Sequence, residues 1–226
     1  MKDLRTIGLV CFLFCLTTAA YSQGSASFHF GPTFPVSDFA SDDFDDDDAG
    51  GAAVGLNIGL QYVYPLAENG LGIFGGIDFN YNGLKKDYKD DYEEFFEAIG
   101  VYDADYKFPK YINVPISAGL NYTYQADEKV GVFANAGLAL NFLKITEMEV
   151  EVNNESVTQE VKLSSSLGFK IGAGILLNQK TSISIDYYGL GEHDLEGEMN
   201  ATGGFSDDFE FEQTIDFVTL TLGFRF

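Results

Sequence analysis

Bulky apolar residues recur at every second position along eight stretches of the chain, with small or polar residues between them. A two-residue period places successive side chains on opposite faces, so each stretch predicts a β-strand with two unlike sides. The stretches are Ala26–Val36, Ala53–Tyr64, Leu71–Asn82, Tyr111–Tyr124, Val130–Phe142, Leu163–Leu177, Thr181–Tyr188 and Phe217–Phe226. In the second, Val54, Leu56, Ile58, Leu60, Tyr62 and Tyr64 share one face, and Gly55, Asn57, Gly59 and Gln61 the other. The last sets Val218, Leu220, Leu222, Phe224 and Phe226 against Thr219, Thr221, Gly223 and Arg225.

The charged residues inside these strands, Asp78, Lys170, Asp186 and Arg225, all fall on the small, polar face. A soluble sandwich or lipocalin-type barrel has the opposite economy, with charge outside and aliphatic residues within. Apolar outside and polar inside is the pattern of a membrane-spanning barrel, whose sheet must close because lipid offers no partner to a backbone N–H. The connections agree. Ala67–Gly70, Gln125–Lys129 and Asn178–Lys180 are short, whereas Ser37–Gly51, Gly83–Lys110, Leu143–Lys162 and Gly189–Asp216 are long and acidic. That strict alternation predicts an all-β, eight-stranded antiparallel up-and-down barrel with short periplasmic turns and long external loops. Aromatic girdles are expected at the two rims, from Tyr62, Tyr64, Tyr122, Tyr124, Phe224 and Phe226 on the periplasmic side and from Phe34, Phe79, Tyr81, Phe142 and Tyr187 on the outer side.

The start of the chain sets the compartment. Lys2 and Arg5 precede an apolar run from Ile7 to Ala20, followed by Ala20, Tyr21 and Ser22. This is the form of a secretory signal peptide over residues 1–22, cleaved before Gln23, leaving 23–226 as the barrel domain. The run is too short for a spanning helix, which needs about 20 residues. Cys11 and Cys15 lie inside it, so the mature chain has no disulfide. The formal net charge is −22, which excludes nucleic acid as a partner.

Several short stretches resemble the PorT-like family of outer-membrane barrels from Gram-negative bacteria. They are Gly31-Pro32-Thr33-Phe34-Pro35, Tyr111-Ile112-Asn113-Val114-Pro115-Ile116, Ala136-Gly137, Gly172-Ala173-Gly174 and the ending Leu222-Gly223-Phe224-Arg225-Phe226. The terminal aromatic resembles the signal that outer-membrane assembly machinery reads. The resemblance implies an eight-stranded fold and an outer-membrane location. Family members include proteins of secretion and gliding, and the resemblance implies no single activity.

No residue emerges as catalytic, cofactor-binding or metal-ligating, and no cofactor is expected. Asp78, Lys170, Asp186 and Arg225 are expected to pair in the lumen as a polar plug, the alternative being an ion or proton path. His29 and His193 are the only histidines; His29 should face the lumen, and His193, in Glu192-His193-Asp194, reads as a solvated loop residue. A serine or carboxylate beside either one would favour a lipid-modifying or proteolytic barrel enzyme. The run Asp42, Asp43 and Asp45–Asp48 suits hard cations but lacks the spacing of a calcium loop. Tyr92, Phe95, Phe96 and Ile99, spaced i, i+3, i+4 and i+7, predict a short amphipathic helix that packs on the barrel mouth or docks a partner. Asn154-Glu155-Ser156 and Asn200-Ala201-Thr202 match a glycosylation triplet that is incidental in a bacterial protein. The expected partners are outer-membrane lipid and lipopolysaccharide, with another cell-envelope protein through the external loops. The expected role is structural, adhesive or complex-forming; a soluble periplasmic ligand-binding barrel is the second alternative.

Overall fold

The computed structural model describes residues 24–44, 46, 48–153 and 155–226. The expected signal peptide over residues 1–22 lies outside the described residues, as do Gln23, Asp45, Asp47 and Asn154. In chain order the elements are β1 (Ser25–Pro35), α1 (Ser37–Ala40), β2 (Gly55–Pro65), β3 (Leu71–Asn82), α2 (Lys86–Ala98), β4 (Asp105–Lys107), β5 (Tyr111–Gln125), β6 (Val130–Ile145), β7 (Met148–Val152), β8 (Glu155–Val161), β9 (Ser164–Leu177), β10 (Thr181–Ala201) and β11 (Phe205–Arg225).

Eight of these strands, β1, β2, β3, β5, β6, β9, β10 and β11, close a ring in which every neighbour is antiparallel. Closure is made by β1 against β11, with Phe28 opposite Phe224 and Phe34 opposite Val218. The alternation fixes the register: a slip of one residue would turn every aliphatic side chain inward. The outside is aliphatic, with Leu56 65%, Leu138 64% and Leu167 67% exposed. The inside is amide-rich, with Asn57, Asn80, Asn113, Asn121, Asn135 and Asn141 buried. Such an exterior fits only a hydrocarbon surround.

The short turns lie at one rim, where Asn178 and Gln179 adopt positive φ (50° and 57°) between β9 and β10. At the other rim the chain departs from the sequence reading. The expected acidic loops over 143–162 and 189–216 are largely sheet. β10 and β11 each run 21 residues, well past the expected ends at Tyr188 and Phe217. Their outer halves continue as a hairpin that β8, β7 and β4 extend into a sheet in the order β11-β10-β8-β7-β4. A bulge at Leu190-Gly191, with Gly191 at φ 76°, shifts the β10 register. It inverts the alternation: lumenal positions on β10 are even up to Tyr188, whereas the buried ones beyond are His193 and Leu195.

The outer mouth of the barrel holds the apolar core. Phe39 of α1 is fully buried among Tyr111, Leu143, Tyr188, Leu190, Ile215 and Phe217. Its ring meets Tyr111 edge-on at 5.0 Å. The first external segment is tied down around it, since Tyr111 Oη donates to the Gly50 carbonyl at 2.7 Å and Ala52 N–H to that of Phe39 at 2.9 Å.

Candidate functional site

Beneath the plug, the middle of the lumen carries charge. Asp78 on β3 accepts from His29 Nε2 at 2.6 Å and Asn57 Nδ2 at 3.2 Å on one oxygen, and from Tyr188 Oη at 2.8 Å on the other. Lys170 on β9 stands between two carboxylates, 3.8 Å from Asp78 Oδ2 and 3.6 Å from Asp186 Oδ1, with its ammonium 4.9 Å from the centre of the Tyr188 ring. Buried charges persist only when paired; Lys170 pairs with both carboxylates, and Asp78 is hydrogen-bonded as well. Glycine makes the room. A Cβ on Gly172 would lie 2.0 Å from Asp186 Oδ1, and one on Gly59 would lie 2.3 Å from Asp78 Oδ1.

Asp78, Lys170 and Asp186 thus meet as the alternation implies, and His29 faces the lumen beside them. Arg225 does not join them. It sits half-buried at the inner rim, where it lines a small cavity of about 50 Å³ with Ser27, Gln61, Thr123 and Ser182. Its place in the register, opposite Ser27 at the chain end, is too far along the barrel axis. His29 takes the fourth position, because Gly59 lets it reach across β2.

His193 is also corrected. It is fully buried, not a solvated loop residue, because β10 continues through it. Asn141 Nδ2 donates to its Nε2 at 3.0 Å, Ser166 Oγ lies 2.7 Å from the same nitrogen, and Ser164 Oγ lies 3.3 Å from Nδ1. Each histidine therefore has the kind of neighbour that the enzyme reading asks for, Asp78 at His29 and Ser166 at His193. The second arrangement lacks the rest of a hydrolytic site. Ser166 Oγ also donates to the Leu190 carbonyl, a hydroxyl rather than a carboxylate faces Nδ1, and the imidazole is sealed under the plug.

Outside the membrane, the extended sheet has two chemically distinct faces. One carries Leu195, Met199, Val161, Val150 and Met148 and packs inward. Helix α2 stands over it with Tyr92 and Phe96 on the sheet side, while Phe95 is 49% exposed. Its rings interlock with Phe44, at 5.5 Å from Tyr92, and with Phe108 and Tyr106. A groove of about 500 Å³ remains between α2 and the sheet, lined by Tyr92, Phe96, Met148, Val150, Val157 and Met199. Ile99 lies at the C-terminal cap and is 60% exposed.

The other face is acidic. In the β10–β11 ladder Asp194 stands opposite Glu212, Glu196 opposite Glu210, and Glu198 opposite both Asp208 and Glu160 of β8. Like charges directly across a ladder repel. Lys162 relieves this at Glu196, and Lys107 pairs at the far edge of the sheet, off that ladder. Lys162 Nζ lies 3.0 Å from Glu196 Oε2, and Lys107 Nζ 3.0 Å from Glu147 Oε1. Both ammonium groups are held charged above the ordinary lysine range by hydrogen bonds to these carboxylates. In the first external segment, Asp42 pairs with Lys85 at 3.5 Å. Among the described residues no group of three or more His, Cys, Asp or Glu is arranged to hold a metal ion.

The sequence matches the model of the outer membrane protein beta-barrel domain over residues 8–226. No curated protein matches. Among solved structures, the outer membrane protein OprG of Pseudomonas aeruginosa is 14% identical, with 91% of this chain and 97% of that chain covered at a TM-score of 0.50. A major outer membrane protein of Thermus thermophilus is also 14% identical, with 90% and 100% covered at 0.50. At such identity these likenesses show the fold alone. The chain belongs to the outer-membrane β-barrel domain family, and the bacterial outer membrane is its location.

Proposed function

We propose that this outer-membrane barrel is a non-conducting surface protein that joins or anchors a complex in the cell envelope, with its external sheet as the working surface. The observation that carries this reading is the sealed mouth. Phe39 and its neighbours close the lumen where a channel would have to open, while the sheet beyond stays folded for another ten or so residues per strand. A buried ionic set below the plug adds a second barrier, since an ion would have to displace paired side chains. An anionic outer face repels phosphate, so contact with lipopolysaccharide is confined to the barrel wall or bridged by divalent cations. Within the barrel proteins, the quoted glycine and proline motifs support a PorT-like assignment, a family that includes proteins of secretion and gliding.

The reading is tested by placing a photo-cross-linking residue at Phe205, Tyr102 or Phe226 in cells. Discrete adducts at the two external positions, and none of the same mass at Phe226 on the inner rim, support it. Stepwise ion currents through the purified protein, without external adducts, would replace it with a channel.

A further inference from the structure

The outer half of β11 has a hydrogen-bonded neighbour on one side only. β10 pairs with it from Phe205 to Phe211 and beyond, but β1 pairs with β11 only between Phe217 and Arg225. The separation has a local cause. β1 ends at Pro35, Val36 N–H donates to the Asp216 carbonyl, and Ser37 at φ 53° turns the chain away into α1. Phe226 and Asp216 direct their main-chain groups at β1. Alternation along an unbulged strand then aims those of Glu212, Glu210 and Asp208 at the same, vacated side. Residues 205–208, 210, 211 and 212 are exposed, so among the described residues a free strand edge faces solvent.

We infer that this edge takes a partner polypeptide by strand addition, and that the partner's segment is basic. The inference rests on the surface-complex reading above and names its partner chemistry. A free edge is a template for one more strand. The side chains select which. An added strand would set its alternate residues beside Asp208, Glu210 and Glu212, already opposed by Glu198, Glu196 and Asp194. Lys or Arg at those positions offsets repulsion that Lys162 now relieves only at Glu196. A second copy of this chain is the wrong occupant, because two such edges would lay carboxylate on carboxylate.

The test uses the full-length barrel in nanodiscs and a ten-residue alternating Lys–Thr peptide, read by calorimetry. Saturable binding is expected, absent for an alternating Glu–Thr peptide. Methylating the backbone nitrogens on one side of the Lys–Thr peptide should weaken binding at least tenfold, as should Glu210→Pro, which removes an edge N–H without touching the β10 ladder. Glu210→Gln should weaken it only a few-fold. The heat-modified gel shift of each variant reports that the barrel is intact. Equal binding of the methylated and unmethylated peptides, or of the acidic one, overturns the inference. So does an absence of binding alongside external cross-linked adducts in cells, an outcome that leaves the surface-complex reading standing.

Discussion

His29 Nε2 reaches Asp78 Oδ1 at 2.6 Å across an intervening strand, over the bare backbone of Gly59. The three residues share one row of the sheet, His29 opposite Gly59 and Gly59 opposite Asp78. A Cβ on Gly59 would stand 2.3 Å from the carboxylate oxygen and 2.4 Å from the imidazole nitrogen. Gly59→Ala should therefore break this contact. A hydrogen bond to a charged group contributes about 1.5–3 kcal/mol, and urea unfolding in detergent should show a loss of that order. An unchanged midpoint would mean that the bond contributes nothing.

Lys170 is the lysine that stands between two buried carboxylates. Lys170→Met leaves Asp186 without its cation and weakens the support of Asp78, which should cost about 3–5 kcal/mol. Arg225→Met, outside the cluster, should stay within about 1 kcal/mol. The comparison is made by the temperature at which the folded band disappears on a gel. Similar losses for the two variants would return Arg225 to the network.

Phe39→Ala empties the centre of the outer plug. Truncating a buried Phe costs about 3–5 kcal/mol, and here the loss should fall on the first external segment. Limited proteolysis of proteoliposomes should cut near residues 37–51 in the variant and spare the wild type. Equal resistance would mean that α1 is held by its backbone bonds alone.

Ser166 lies 2.7 Å from His193, yet it should not behave as a nucleophile. A fluorophosphonate probe should leave it unlabelled in the folded barrel, and Ser166→Ala should not alter any phospholipid hydrolysis by purified protein. Labelling that disappears in Ser166→Ala would make the protein an enzyme.

How much of this was legible in the chain follows from the period of each segment. Leu56, Ile58 and Leu138 point outward because strict alternation leaves no other choice, and Asp78, Lys170 and Asp186 share the lumen for the same reason. The plug was hidden, since Phe39 sits in an acidic stretch with no alternation around it and its burial depends on Tyr111 and Phe217, far away in sequence. The external sheet was written as alternation too, Leu195 and Met199 against Glu196 and Glu198. Its charge density reads as loop, and the bulge at Leu190-Gly191 breaks the count before His193. Gly59 reads only as a small residue on the polar face; its use as a passage for His29 needs the register of three strands.

The proposed function requires a barrel closed to ions and sealed from outside. Planar bilayer recording of the purified wild-type protein tests it most directly. The expected trace shows no stepwise conductance at any applied voltage that the bilayer survives. Reproducible steps from the wild type, lost when the lumen is blocked from the outer side, would contradict the sealed mouth and the reading built on it.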